Sequence, residues 1–258
     1  MNAIVDHNIQ HVEDVMGMAI SIDIRQPLPA PGALDEVITW LHHVDATFST
    51  YKYDSEVSRF GRGELSIGEL SRETEEVLLR CIELTEITKG TFDAFAVPTP
   101  SGGMLDPSGY VKGWAVECAA AMLESAGARN FCINAGGDIA LRGSASDSRG
   151  WRVGIRHPDL AFQQATVVTL EGTVAVATSA TYERGAHIID PRTGEATTGL
   201  ASATVIGPDL GTADAYATAL FVMGVDGLDW IEDQPGYDAY IITHDQTTHR
   251  TTGFPAST

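Results

Sequence analysis

Positive charge is scarce in this sequence. It holds 16 lysine and arginine residues against 35 aspartate and glutamate residues, which gives a formal net charge of −19 over 258 residues. Such an acidic chain repels phosphate backbones and anionic lipid surfaces, so we expect neither a nucleic-acid partner nor insertion into a membrane. A phosphate-bearing small molecule would bind only where a lysine, a helix N-terminus or a metal ion supplies positive potential locally.

Cysteine and long apolar runs are scarce as well. Cys81, Cys118 and Cys132 show neither metal-ligand spacing nor a disulfide framework, which favours buried thiols in a reducing compartment. No stretch approaches the ~20 apolar residues that a membrane helix needs. The first residues also lack the basic segment and apolar run of a signal peptide. We therefore predict a cytoplasmic protein.

What the sequence does contain is an irregular alternation of helix-like and strand-like segments. Apolar periodicity and capping residues predict helices over 33–48, 71–90, 112–126 and 213–223. Strands are predicted over 15–25, 131–141, 151–156, 172–178, 202–206 and 237–243. Because the regular βαβ rhythm of a doubly wound sheet is absent, we predict the α+β class, with one domain over residues 1–258.

Two oxygen-bearing side chains lie four residues apart in the segment TADAYATAL, residues 212–220. On a helix, Asp214 and Thr218 share one face. A carboxylate and a hydroxyl are ligands that magnesium or calcium accepts, whereas zinc prefers nitrogen and sulfur. A structural interpretation stays open, in which the aspartate interacts with the helix dipole and the threonine packs. A metal site here needs a further ligand from elsewhere in the chain.

The segment LDPSGYVKGWAVE, residues 105–117, combines glycine with lysine at a helix start. Gly109 and Gly113 would let the main chain approach a ligand closely, and Lys112 with the helix N-terminus would attract a phosphate. The spacing matches neither the P-loop nor the Rossmann fingerprint, so an ordinary glycine-rich turn is the alternative.

Two further segments allow a structural or a functional interpretation. In NAGGDIALRG, residues 134–143, the paired glycines indicate a turn between strands or a backbone placed close to a cofactor. In HIIDPRTG, residues 187–194, His187 is either a structural histidine or a general base near neutral pH.

In their order along the chain, these segments resemble the ApbE family, the FAD:protein FMN transferases. The resemblance runs from about residue 16 to residue 224. The matching motifs are Met16-Gly17, STYKYDSE (49–56), TKGTFDAF (88–95), the helix entry at 106–113, NAGGD (134–138), TSATYER (178–184), HIIDPRTG (187–194) and ADAYATA (213–219). The resemblance implies a single compact ApbE-like domain of mixed or antiparallel sheets with surrounding helices.

The resemblance also implies a role for each matching position. The FAD-binding positions are Met16, Tyr51, Thr91, Phe92, Asp93, Asp106, Lys112 and Ile188. Magnesium is held by the side chains of Asp214 and Thr218 and by the main-chain carbonyl of Gly109. His187 is the base that takes the proton of the acceptor hydroxyl.

The implied reaction is magnesium-dependent cleavage of FAD, with transfer of FMN to a Ser or Thr hydroxyl of an acceptor protein and release of AMP. If water enters instead, the same site is a FAD pyrophosphatase that yields FMN and AMP. The third interpretation is a non-catalytic FAD-binding protein. The chain departs from the family pattern in the short segment 98–105 and in Pro107-Ser108, which replaces the usual Leu-Gly. These departures would change how exposed the bound flavin is and which acceptor protein the site admits.

Overall fold

The computed structural model describes residues 8–28, 30–160, 162–180, 188–197 and 199–257. The strands described are β1 (Ile9–Val15), β2 (Met18–Ile24), β3 (Phe131–Ala135), β4 (Asp138–Arg142), β5 (Trp151–Arg156), β6 (Gln164–Leu170), β7 (Val174–Ala180), β8 (Ile189–Asp190), β9 (Glu195–Ala196), β10 (Ser202–Gly207), β11 (Asp238–Ile242) and β12 (Thr248–Arg250). Eight of them form one sheet in the order β1-β2-β3-β4-β7-β10-β11-β12. Every pairing in this sheet is antiparallel.

Helices and a strand hairpin cover the two faces of this sheet. The helices are α1 (Ala33–Phe48), α2 (Glu56–Gly61), α3 (Arg72–Ile87), α4 (Ser108–Ser125), α5 (Leu210–Met223) and α6 (Gly227–Glu232), with a short 3₁₀ turn at Ile67–Glu69. The larger hydrophobic core lies between helices and sheet, and a smaller core lies between the β5-β6 hairpin and the other face. The predicted α+β class is confirmed. No helix among the described residues is long and apolar enough to span a membrane.

Helices α4 and α5 approach each other closely because glycine lies at their contact. A Cβ atom added to Gly113 would lie 2.4 Å from the carbonyl oxygen of Leu210, and one added to Gly211 would lie 3.2 Å from the nitrogen of Trp114. Both distances are shorter than ordinary contacts, so neither position has room for a side chain. The two backbones therefore meet directly, which brings the N-terminal halves of the two helices together.

Two hairpin turns lie at the same end of the sheet. Met16 and Gly17 have φ angles of 57° and 74°, and Gly136 and Gly137 have 61° and 107°. Positive φ at both central residues characterises the two-residue turn whose twist matches that of antiparallel strands. The turns are adjacent, because a Cβ on Gly136 would lie 3.2 Å from the sulfur of Met18. The continuous strands predicted over 15–25 and 131–141 are therefore wrong, since each range contains such a turn, but the turn between strands indicated by the paired glycines of NAGGD is present at Gly136-Gly137.

Most other predicted elements shift at their ends. The helix predicted over 33–48 has these bounds, but α4 begins four residues before the predicted 112 and α5 begins at Leu210 instead of 213. Asp209 explains the early start of α5, since its side chain accepts a hydrogen bond from the Thr212 amide at 2.7 Å. Strands β1, β6, β8, β9 and β12 and helices α2 and α6 were absent from the prediction.

Candidate active site

A cavity of about 520 Å³ lies where the two hairpin turns face the starts of α4 and α5. Eleven of the twelve site residues predicted from the sequence line it. They are Met16, Tyr51, Thr91, Phe92, Asp93, Asp106, Gly109, Lys112, Ile188, Asp214 and Thr218. The twelfth, His187, lies outside the described residues. Residues from distant parts of the sequence thus meet in one place, although their individual roles stay predictions.

Lys112 lies between two buried carboxylates. Its Nζ atom is 2.7 Å from Oδ2 of Asp138 and 3.8 Å from Oδ1 of Asp214. Asp138 is 1% exposed and Asp214 is 3% exposed. Counted over the described residues, one ammonium faces two carboxylates, and this excess of negative charge favours a further cation.

Backbone amides hold both carboxylates in place. Oδ1 of Asp138 accepts a hydrogen bond from the amide of Thr178 at 3.0 Å. Oδ2 of Asp214 accepts one from the amide of Gly113 at 3.2 Å. The first bond ties β4 to β7 and the second ties α5 to α4, so four elements fix the position of the lysine head group.

Asp138 is a site residue that the sequence reasoning missed. The NAGGD turn was considered only for its backbone, because the sequence does not show which residue the side chain after the two glycines contacts. The structure places that side chain opposite Lys112 on a helix more than twenty residues earlier. One signal in the sequence could have identified Asp138: it is a carboxylate at the start of an otherwise apolar strand. A carboxylate buried in such a strand requires a cation or a hydrogen-bond donor beside it.

The three residues proposed as metal ligands line the same cavity, and two of them, Gly109 and Thr218, are adjacent. A Cβ on Gly109 would lie 3.4 Å from Oγ1 of Thr218, and this hydroxyl lies 3.2 Å from Oγ of Ser179. The described residues contain no cluster of three histidine, cysteine, aspartate or glutamate residues that could bind a metal. Asp214 would therefore share the ion with hydroxyl and carbonyl oxygens. Hard donors of this kind fit magnesium, which retains water ligands and needs few carboxylates.

The loop at 91–95 forms the opposite wall and is joined to the start of α4. The amide of Asp106 donates to the carbonyl of Ala94 at 2.7 Å, and Oδ1 of Asp106 accepts from the amide of Ser108 at 3.0 Å. Phe92 is buried, and a Cβ on Gly109 would lie 3.3 Å from its ring. These contacts position the helix N-terminus at the cavity.

The mouth of the cavity is partly apolar. Tyr51 is 71% exposed and lines the cavity, as do Met16 and the buried Ile188. Arg156, at the end of β5, also lines the cavity, and the sequence reasoning assigned it no role. The arrangement combines a planar aromatic surface at the mouth with phosphate-attracting groups inside.

Comparison with known proteins identifies relatives over most of the chain. The sequence profile of the ApbE family matches residues 16–101 and 96–241. The FAD:protein FMN transferase of Vibrio cholerae is 30% identical over 242 residues, which cover 73% of this chain and 72% of the relative. The Haemophilus influenzae protein of the same name is 27% identical and covers 81% and 77%.

Solved structures give the same result for the fold. The flavin transferase ApbE from Vibrio cholerae superposes with a TM-score of 0.82 at 26% identity, covering 96% of this chain and 98% of that one. The ApbE protein of Thermotoga maritima superposes with a TM-score of 0.84 at 23% identity, covering 95% and 97%. Profile, relatives and structures agree, and the chain therefore belongs to the ApbE family.

Proposed function

We propose that this chain is a FAD:protein FMN transferase that depends on magnesium. The observation that carries the proposal is the position of Lys112, which pairs with the buried Asp138 and lies near Asp214 in a cavity lined by the positions that match the family's FAD and metal sites. The relatives named as FAD:protein FMN transferases support it. The substrates are FAD and an acceptor protein with a Ser or Thr hydroxyl.

The residues of the cavity suit a dinucleotide with a pyrophosphate. Lys112 and the start of α4 supply positive potential for the phosphates. Tyr51 and Met16 offer apolar surface at the mouth for the flavin ring. Asp214, Thr218 and the carbonyl of Gly109 would hold Mg²⁺, which when bound neutralises pyrophosphate charge and stabilises the leaving phosphate.

The transfer step exchanges one phosphorus–oxygen bond for another. The acceptor hydroxyl oxygen bonds to the FMN-side phosphorus, and the bond from that phosphorus to the bridging oxygen breaks, so that AMP leaves with the bridging oxygen. The hydroxyl proton passes to a base, for which we propose His187. The phosphodiester product keeps FMN attached to the acceptor.

One incubation separates this proposal from its alternatives. The protein is mixed with FAD and Mg²⁺, with and without a polypeptide that the Vibrio cholerae transferase flavinylates, and AMP release and acceptor mass are followed. We expect AMP to appear with the acceptor and in equal amount to the acceptor that gains FMN, and to disappear with EDTA. Release of AMP and free FMN without labelled acceptor would indicate a pyrophosphatase. FAD bound intact under every condition would leave a binding protein.

We also propose a cytoplasmic location. The three cysteines are unpaired in the structure, as thiols in a reducing compartment are. Cell fractionation with an antibody against the chain tests this, and recovery from an extracytoplasmic fraction would contradict it.

A further inference from the structure

Arg156 is the second cationic side chain among the described residues that line the cavity. It ends β5, which belongs to the hairpin on the opposite face of the sheet from the helices. The far end of this strand is anchored, since Nε1 of Trp151 donates to the carbonyl of Arg142 at 3.1 Å. The hairpin thus carries an arginine around the end of the sheet to the cavity.

A register irregularity lies at this end of the hairpin. Pairing between β5 and β6 shifts between Ile155 and Arg156, whereas the preceding pairs from Trp151 onward are regular. Irregularities of this kind often occur beside active sites, where they redirect a side chain. Along β5, Trp151, Val153 and Ile155 are buried, whereas Arg152 and Arg156 are exposed. Arg152 thus shares the outward face of the strand but is not part of the cavity.

The described carboxylates that line the cavity outnumber the cations, so a negatively charged ligand needs the positive charge of Arg156. The described lining carboxylates are Asp45, Asp93, Asp106 and Asp214, and the lining cations are Lys112 and Arg156. Lys112 already has two buried carboxylates within 4 Å. Its charge is therefore largely compensated before a ligand arrives. A pyrophosphate adds further negative charge, and a guanidinium can bind phosphate oxygens through two parallel hydrogen bonds.

We propose that Arg156 binds the pyrophosphate of FAD and so distinguishes FAD from flavins that lack phosphate. This inference rests on the proposed function, because it takes FAD as the ligand. Arg156 acts in substrate binding, because the pyrophosphate is negatively charged before the reaction begins, and the charge that develops on the leaving phosphate strengthens the same contact in the transition state.

The test compares Arg156→Ala and Arg156→Lys with the matched control Arg152→Ala. Dissociation constants for FAD and for riboflavin are measured by flavin fluorescence in the presence of Mg²⁺. We expect Arg156→Ala to weaken FAD binding by about tenfold, the effect of losing one charge-assisted contact, with riboflavin binding unchanged. Arg156→Lys should recover part of the loss, and Arg152→Ala should bind both flavins as the unaltered chain does. Thermal melting confirms that each variant is folded.

Turnover gives a second readout. Since Arg156 would stabilise both the bound substrate and the transition state, its alanine variant should raise KM for FAD and lower kcat/KM of AMP release by at least the same factor. Unchanged FAD affinity, or an equal loss for riboflavin, would overturn the inference. If the unaltered chain binds FAD but releases no AMP, the proposed function fails while the comparison of dissociation constants still decides the role of Arg156. Absence of FAD binding by the unaltered chain would overturn both.

Discussion

At the scale of single residues, the decisive feature is an ammonium placed between two carboxylates. Asp138 and Asp214 are almost fully buried, and Lys112 lies within 4 Å of both. Burying charge is unfavourable unless it is paired, so a cluster with one cation and two anions persists only when hydrogen bonds or another cation complete it. Two backbone amides donate hydrogen bonds to the carboxylates and so compensate part of the negative charge. Bound at the proposed site, a magnesium ion would supply the rest.

Asp214→Asn tests this electrostatic role with little change of shape. We expect AMP release to fall by at least about 100-fold, because Asp214 is the charged ligand of the proposed Mg²⁺, and a weakly held ion would no longer stabilise the charge that develops on the phosphates. FAD binding should weaken less. The control is Asp209→Asn, which removes a carboxylate from the start of the same helix but keeps a side chain that caps it well. Full activity in the Asp214→Asn protein would show that our metal assignment is wrong.

Met16 shows that the backbone at the cavity is strained. Its φ of 57° is left-handed, which disfavours any side chain with a Cβ atom and disfavours β-branched side chains most. We expect Met16→Gly to retain stability within about 1 kcal/mol, since glycine adopts this conformation readily. Met16→Val should be less stable than Met16→Gly by about 1–2 kcal/mol. Urea unfolding measures both, and equal stabilities of the two variants would contradict the assignment of strain.

At the scale of elements, the contact between α4 and α5 builds the site. These helices carry Lys112 and Asp214, and their separation depends on Gly113 and Gly211. Helices normally pack 8–10 Å apart because side chains lie between them, whereas glycine allows a closer approach. The hydrogen bond from the Gly113 amide to Asp214 depends on this approach.

Gly113→Ala adds only one methyl group, but we expect it to disturb both the packing of α4 against α5 and the cavity. Its methyl group would lie 2.4 Å from the Leu210 carbonyl, so the helices must move apart. We expect a loss of about 1–3 kcal/mol in the free energy of unfolding, as for other overpacked contacts, together with weaker FAD binding. Gly68→Ala is the control, because nothing lies within 4 Å of its added methyl group. Equal stability of the two variants would show that the helices tolerate separation.

At the scale of the whole molecule, one sheet joins the two ends of the chain. Strand β1 lies at one edge and β12 at the other, and helices from the middle of the sequence pack on the face between them. An arrangement of this kind depends on contacts between residues far apart in sequence, so we expect its parts to unfold together.

The three thiols report on this cooperativity. Burial raises the pKa of Cys81, Cys118 and Cys132 to about 12 each, and the thiolate is the reactive form. We expect each thiol of the folded protein to react with a thiol reagent far more slowly than free cysteine at pH 8. With increasing urea, all three should become reactive over the same range of concentration. Mass spectrometry identifies the labelled cysteine, and one that reacts earlier than the others would indicate separate unfolding of its element.

The sequence alone determined the class of fold and the family, and it named eleven residues that line one cavity. Apolar periodicity located α1 and α3 because helix formation depends on neighbours three and four residues apart. Eight ordered motifs indicated the family, and eleven of their predicted site residues meet in the cavity. The four-residue spacing of Asp214 and Thr218 also indicated that they share a helix face, since that relation is set by the helix alone.

Only the tertiary structure decided which charges meet. Asp138 faces Lys112 because β4 and α4 pack at one end of the sheet, and no local spacing encodes that distance. The same is true of Arg156, which reaches the cavity around the end of the sheet. The turn at Met16-Gly17 was missed because the residues on either side form one apolar run until pairing reverses the chain, whereas the paired glycines at 136–137 had already indicated a turn. Burial and strand pairing depend on the whole chain, so the contacts between these charged residues could be identified only in the folded structure.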